Sequence, residues 1–326
     1  MLLELKDLHI QFETDGQVTR AVDGVSLGLD RGQVLGLVGE SGCGKSATAM
    51  SIPRLLPMPP ARITQGQALF DGRDLLALPL PELRALRGAK IGVIFQDAMT
   101  SLSPLHRIGR QLEEVLRLHR DVSAAAARDT ALEWLARVGI PDPALRSKAY
   151  PHELSGGMQQ RVMIAMALIL EPDLIIADEP TTALDVTIQA QVLTLMRRLR
   201  RANSGMLLIT HDMGVVSQMA TRIAVMYAGQ LVEQADAEVF FRAPLHPYSA
   251  ALLEALPSAA TRGKRLKAIP GQVPSAGNLP SGCRFHDRCP VARPDCAQTP
   301  PELRALGGRL VRCPYAAESG GESSPR

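Results

Sequence analysis

Aromatic side chains are scarce in this chain: one Trp, four Tyr and six Phe make up 3% of its 326 residues. Binding single-stranded nucleic acid needs such rings as stacking platforms, so that class is disfavoured. Charge of one sign is lacking as well. Thirty-six Lys and Arg stand against 33 Asp and Glu, a formal net charge of +3, so no nucleic-acid partner is expected. No apolar run approaches the ~20 residues that span a bilayer, and the run from Val162 to Leu170 falls far short. The opening Met1-Leu2-Leu3-Glu4-Leu5-Lys6-Asp7 has no cleavable signal pattern, which points to a cytoplasmic protein. Cysteine is nearly absent from the body of the chain. Cys43 stands alone, and the other four of five lie beyond residue 280, which argues against a disulfide framework.

What remains is a chain that is 46% hydrophobic, enough for a large core. Alternating apolar positions at Leu3/Leu5 and Leu8/Ile10/Phe12, the Asp15-Gly16 turn, and Ala21 to Leu29 predict antiparallel strands. Continuous apolar runs at Leu35–Val38, Lys90–Gln96, Leu174–Ala177, Met206–Thr210 and Ile223–Tyr227 predict buried strands. A helical pattern from Val186 to Arg200 separates two of them, which implies parallel pairing and an α/β fold. From about 97 to 170 the spacing turns helical, so a mostly helical insertion is expected there. Beyond Pro270 prolines recur, and neither regular helix nor strand is expected. The Ser/Gly-rich end, 318–326, reads as disordered.

Chemistry is carried first by Gly39-Glu40-Ser41-Gly42-Cys43-Gly44-Lys45-Ser46, between a buried strand and a helix. This is a P-loop: its glycines let backbone N–H groups converge on phosphate oxygens, Lys45 reaches the outer phosphates, and Ser46 faces a magnesium ion. Cys43 contributes its backbone and no redox chemistry. A second strand, Leu174 to Ala177, delivers Asp178 and Glu179 at its polar end; Asp178 is expected to hold Mg2+ and Glu179 to act as general base. A third element, Leu154-Ser155-Gly156-Gly157-Met158-Gln159-Gln160, opens a helix with an anion-binding turn.

The P-loop, Gln96 at a strand end, Leu-Ser-Gly-Gly-x-Gln, the Asp-Glu strand, Ala183-Leu184-Asp185 and His211 stand in the order and spacing of ABC-transporter ATPase subunits. Residues 1–235 resemble that family. The resemblance implies a P-loop NTPase of RecA-like core with an antiparallel β subdomain and a helical subdomain. It also implies that two such domains sandwich two ATP molecules. Ser155, Gly156 and Gly157, with Met158 and Gln159, would then meet the γ-phosphate held by the partner's P-loop, and Asp185 would cross the dimer interface. Gln96 would bind Mg2+ and sense the transporter, His211 would contact the γ-phosphate, and Phe12 is the candidate to stack on adenine.

Phe95 to Pro104, Met158 to Ala167 and His246-Pro247-Tyr248 resemble the dipeptide/oligopeptide importers, and Met158 with Ala165-Met166-Ala167 resembles their D-type subunit. That subunit implies a non-identical F-type ATPase partner, two transmembrane permease subunits and, indirectly, an extracytoplasmic peptide-binding protein. It places the chain peripherally on the cytoplasmic face of the inner membrane. Ala98 departs from the proline common in that family. The same motor could serve nickel or another small solute, and a non-transport ABC ATPase or a metal sensor with an ATPase attached are the rivals from other classes.

Residues 236–326 form an extension with Cys283, Cys289, Cys296 and Cys313, separated by five, six and sixteen residues. This is metal-ligand spacing without paired C-x-x-C. Cys289-Pro290 and Cys313-Pro314 match the Cys-Pro step at iron–sulfur ligands, and the region resembles importer extensions in which such cysteines hold a [4Fe–4S] cluster. Structural Zn2+ and unligated thiols stay open as alternatives. A Pro-rich segment with few apolar residues needs a staple in any case.

Overall fold

A computed structural model describes residues 1–182, 185–256 and 268–316. The tail expected to be disordered, 318–326, and Ala183-Leu184 of the Ala-Leu-Asp motif lie outside the described residues. In chain order, β1 (Leu3–Thr14) and β2 (Gln17–Leu29) form the expected hairpin. Asp15 (φ 52°) and Gly16 (φ 74°) close it with the left-handed backbone of a tight turn. β3 (Val34–Val38) leads into the P-loop and α1 (Lys45–Ser51). β4 (Ala61–Phe70) and the short β5 (Arg73–Asp74) follow. Then come α2 (Leu80–Leu86), β6 (Ile91–Ile94), α3 (Ala98–Ser101), α4 (Ile108–His119), α5 (Ala124–Arg137), α6 (Pro143–Arg146) and α7 (Gly156–Leu168). The α/β alternation resumes with β7 (Leu174–Asp178), α8 (Val186–Leu199), β8 (Gly205–Thr210), α9 (Met213–Met219), β9 (Arg222–Tyr227) and β10 (Gln230–Asp236). The extension contributes α10 (Ala237–Arg242), α11 (Pro247–Glu254), β11 (Arg304–Leu306) and β12 (Arg309–Val311).

The chain divides into two compact units. Unit one comprises 1–29, 33–76 and 208–326. It holds a four-stranded antiparallel sheet, β2-β1-β4-β5, and strands in the order β11-β12-β10-β9-β3. β3 pairs parallel with β9 and is buried at every residue, as expected of a strand covered on both faces. Unit two comprises 30–32 and 77–207. Its β6 and β7 pair in parallel, Ile91 opposite Leu174 through Ile94 opposite Ala177. Its helices present apolar stripes: Ile108, Leu112 and Leu116 recur at four-residue spacing on α4, and all are buried. Ser123 caps α5 by accepting from Ala126 N–H at 3.2 Å.

The proline-rich extension is more regular than its sequence suggests, and the expectation of no strand there is corrected. Residues 302–313 are free of proline, and Gly307-Gly308, both at positive φ, turn β11 back on β12. β12 then pairs antiparallel with β10, Val311 opposite Glu233. Beside this hairpin, Tyr227, Phe240, Tyr248 and Phe285 form the aromatic heart of a core that also contains Val38, Val216 and Val225. With Phe241 packed against them, five of the chain's eleven Phe, Tyr and Trp residues meet here.

Candidate functional site

Strand β3 ends at the loop Gly39–Gly44, and the shape of the loop follows from where a side chain cannot go. A Cβ on Gly39 would lie 2.2 Å from the carbonyl oxygen of Met226, and one on Gly44 2.2 Å from that of Ala21. Both residues hold positive φ (151° and 103°), so glycine answers both space and conformation. Lys45 is 5% exposed, and its Nζ donates to the carbonyls of Gly39 (2.8 Å) and Glu40 (2.9 Å). Ser41, Gly42 and Ser46 face outward. Cys43 is fully buried, and burial pushes its thiol pKa up, which fits the backbone-only role expected of it.

Also in unit one, His211 is exposed at the end of β8 and precedes Asp212. Asp212 caps α9 by accepting from Gly214 N–H (2.7 Å) and Val215 N–H (3.3 Å). Phe12 sits half-buried in β1, between Thr19 of β2 and Ala61 of β4.

Unit two gathers the carboxylates. Asp178 is buried at the end of β7 (6% exposed). At Glu179 the backbone turns left-handed (φ 45°), a conformation uncommon for a residue with a side chain. Gln96 Nε2 donates to Glu179 Oε2 at 3.2 Å, and Thr182 Oγ1 donates to the same oxygen at 2.8 Å. Two residues 83 apart in sequence are thus brought together by parallel neighbouring strands. Ser155 caps α7, accepting from Met158 N–H at 3.4 Å, with Ser155 and Gly156 exposed and Gly157 half-buried. Gln159 is turned inward: its amide donates to the carbonyls of Pro151 (2.8 Å) and Leu154 (3.1 Å), so it braces the turn before α7. Asp185 is exposed and caps α8 through Ile188 N–H at 2.9 Å.

The four extension cysteines share one cavity of about 450 Å3, with His286 and Tyr315 also on its wall. Burial pushes the thiol pKa of Cys289 up to about 11 and raises those of Cys283 and Cys313. Among the described residues, however, no group of three or more His, Cys, Asp or Glu side chains is gathered tightly enough to hold a metal ion. The expectation of a ready-made metal site is corrected to this extent. The extension presents four thiols on the wall of one cavity. Such a donor set suits zinc and iron–sulfur chemistry alike.

Three residues near these sites carry no local signal of their roles. Arg288 grips the carboxylate of Glu40 in the P-loop at 2.7 and 2.9 Å. The Tyr248 hydroxyl accepts from Glu40 N–H at 2.9 Å. Glu233, 0% exposed, accepts from Leu245 N–H (2.9 Å) and His246 N–H (2.8 Å). His246-Pro247-Tyr248 stood out in the sequence as a family mark, and its contact with the P-loop shows what the tyrosine touches.

Comparison with known proteins identifies the family. Residues 22–182 match the ABC transporter family model, and residues 232–296 match that of the oligopeptide/dipeptide transporter C-terminal region. The chain is 50% identical over 316 residues to a probable peptide ABC transporter ATP-binding protein of Sinorhizobium fredii, covering 96% of this chain and 94% of that one. It is 50% identical to the oligopeptide transport ATP-binding protein OppD of Bacillus subtilis (95% and 88% covered) and 46% identical to the dipeptide transport ATP-binding protein DppD of Escherichia coli (98% of each). Among solved structures, a dimeric post-hydrolysis state of the ATP-binding cassette MJ0796 with ADP and Pi aligns at a TM-score of 0.65 and 28% identity, over 72% of this chain and 98% of that one. No helix of the described residues is long and apolar enough to cross a membrane. With its P-loop, its carboxylate strand and its extension each matched, the chain belongs to the ATP-hydrolysing subunits of ABC transporters, in the oligopeptide/dipeptide branch.

Proposed function

We propose that this chain powers uptake of di- or oligopeptides, docked on the cytoplasmic face of the membrane against two permease subunits and paired with a second, non-identical ATPase of the F type. An extracytoplasmic peptide-binding protein would deliver the cargo. One observation carries the peptide assignment: the segment matched by the peptide-transporter C-terminal family, 232–296, lies in the same compact unit as the P-loop and bonds to it. In the proposed mechanism Lys45 and the loop N–H groups grip the phosphates of ATP, and Phe12 stacks on its base. Ser46, Asp178 and Gln96 would hold Mg2+, which would neutralise phosphate charge when bound. Glu179, oriented by Gln96 and Thr182, takes the proton from the attacking water. His211 steadies the γ-phosphate, Ser155 to Met158 with Asp185 serve the nucleotide of the paired subunit, and Gln159 braces the turn that presents them. Residues 1–235 form the ATPase domain and 236–326 the extension in this reading.

The four-thiol cavity is proposed to hold a [4Fe–4S] cluster. Four sulfur donors around one space of about 450 Å3 support it, and the cluster would staple the extension. Anaerobic purification with iron, sulfide and zinc quantification, and Cys289→Ser as control, tests this point. About four irons and four sulfides per chain, lost in the variant, are expected; stoichiometric zinc or no metal sinks the cluster. Transport is tested by uptake of labelled di- and tripeptides against Ni2+ in cells carrying the chain or Glu179→Gln. Peptide uptake lost with Glu179→Gln is expected, and nickel uptake alone would move the cargo elsewhere.

A further inference from the structure

Three groups of Glu40 are taken by three separate partners. Its N–H donates to Tyr248 Oη at 2.9 Å, its carbonyl accepts from Lys45 Nζ at 2.9 Å, and its carboxylate meets both terminal nitrogens of Arg288 at 2.7 and 2.9 Å. The fork-on-fork geometry is the strong form of a charge-assisted pair. Arg288 is itself anchored before it reaches the loop: Nε donates to the Pro270 carbonyl at 2.7 Å and Nη1 lies 3.3 Å from the Tyr227 hydroxyl. Its side chain is 5% exposed against 30% for Glu40, so the extension supplies the rigid half of the clamp. Tyr248 is equally fixed. Its ring packs against Tyr227 (4.7 Å between centroids) and Phe285 (5.3 Å). Burial, with the Glu40 charge beside it, holds its hydroxyl in the protonated form.

The clamp also adjoins the thiol cavity. Arg288 ends a single tight turn, His286–Arg288, that is held by Arg288 N–H to the Phe285 carbonyl (3.0 Å) and Cys289 N–H to the His286 carbonyl (3.2 Å). The next residue, Cys289, lines the cavity, as do Phe285 and His286. One short turn therefore presents a guanidinium to the P-loop and a thiol to the cavity. Close-packed interiors transmit strain, so a displacement at the sulfur has a short path to the guanidinium.

We propose that Arg288, with Tyr248, is a positioning residue for the P-loop, and that the four-thiol cavity is thereby coupled to nucleotide affinity. By fixing Glu40 from outside, the two residues set where its carbonyl stands, and so where the ammonium of Lys45 rests. A small displacement of a phosphate-gripping group is costly to binding. The coupling to the cavity rests on its reading as a cluster site; the positioning of the loop does not.

Full-length protein purified without oxygen is titrated with a fluorescent ATP analogue and Mg2+, with iron, sulfide and melting temperature recorded for each variant. Arg288→Gln is expected to weaken nucleotide binding about tenfold, the scale of one lost charge-assisted pair, with iron content unchanged. Arg288→Lys keeps the charge without the fork and should fall between. Tyr248→Phe removes a single oxygen and should weaken binding about threefold, which keeps the idea exposed if Arg288→Gln fails to fold. Wild-type affinity in Arg288→Gln, with only a lower melting temperature, would overturn positioning and leave a purely structural tie. For the coupling, Cys289→Ser should weaken binding in the parent and add little in Arg288→Gln; additive losses would overturn it. Parent protein lacking iron and sulfide refutes the cluster and the coupling together. Parent protein that binds no nucleotide would instead fail the ATPase assignment itself.

Discussion

Gln96 and Glu179 share a hydrogen bond of 3.2 Å across two parallel strands, and Thr182 donates to the same carboxylate oxygen. That oxygen is held by two donors while the backbone beneath it is in the left-handed region, which fixes the direction in which the carboxylate faces. Glu179→Gln should lower ATP hydrolysis by about 10²- to 10⁴-fold, the usual loss for a general base, with nucleotide affinity kept. Phosphate release at saturating ATP reads it. Turnover near the parent's would remove Glu179 from the mechanism.

Lys45→Ala acts earlier in the cycle. Its ammonium is the cationic group that the P-loop itself supplies, and Ala offers no substitute for a phosphate-bound cation. Equilibrium binding of ATP should weaken by at least about tenfold. A variant that binds as the parent does and only hydrolyses slowly would show that Lys45 acts on the reaction step alone.

Gly44→Ala tests the loop's shape without touching any charged group. The added methyl would lie 2.2 Å from the Ala21 carbonyl at a φ of 103°, so the loop or the strand must move. Stability should drop by about 2 kcal/mol or more, as for other strained backbone positions. Urea unfolding against the parent measures it, and a loss under about 0.5 kcal/mol, the level of an ordinary surface change, would contradict this account.

His246 gives the extension a pH dependence. Burial pushes its pKa down to about 3, against a hydrogen bond at the Arg312 backbone that works the other way. Its Nδ1 accepts from Tyr248 N–H at 3.1 Å, which a protonated ring could not do at that nitrogen. The unfolded chain titrates near 6.5, so between these values it binds the extra proton. The contribution is therefore complete above about pH 6.5 and is lost on acidification toward 3, at up to ~1.4 kcal/mol per pH unit. Glu233, whose buried carboxyl is pushed up, opposes part of this slope. His246→Asn keeps an acceptor for Tyr248 and should flatten the parent's loss of stability between pH 7 and pH 5. Equal slopes for the two proteins would mean that His246 is protonated when folded.

The nucleotide motifs were legible because their chemistry is local. Gly39 to Ser46 and Asp178-Glu179 each need fixed spacing on one turn or one strand end, and spacing is what a sequence displays. The hairpin β11–β12 was hidden by the prolines around it, although a proline-free stretch with Gly307-Gly308 at its centre was there to be read. Arg288 and Glu40 stand 248 residues apart, and nothing near either residue reports the other; only packing of the extension joins them. Glu233 likewise is a charged residue on a strand, yet it is fully buried, where two amide groups at the start of α11 need an acceptor. The thiols were identified by number and spacing, but that all four line one cavity depends on turns whose geometry no spacing encodes.

The pairing of β12 with β10 also bears on how the protein is made. Arg312 and Leu231 bond across 81 positions of chain, so for the time the ribosome takes to add those residues β10 has an open edge. An unpaired edge is a template for strands of other chains. A nascent protein arrested before Arg304, or one cleaved there, would carry that edge permanently. Quality control would then meet a protein with an intact P-loop and an unfinished sheet.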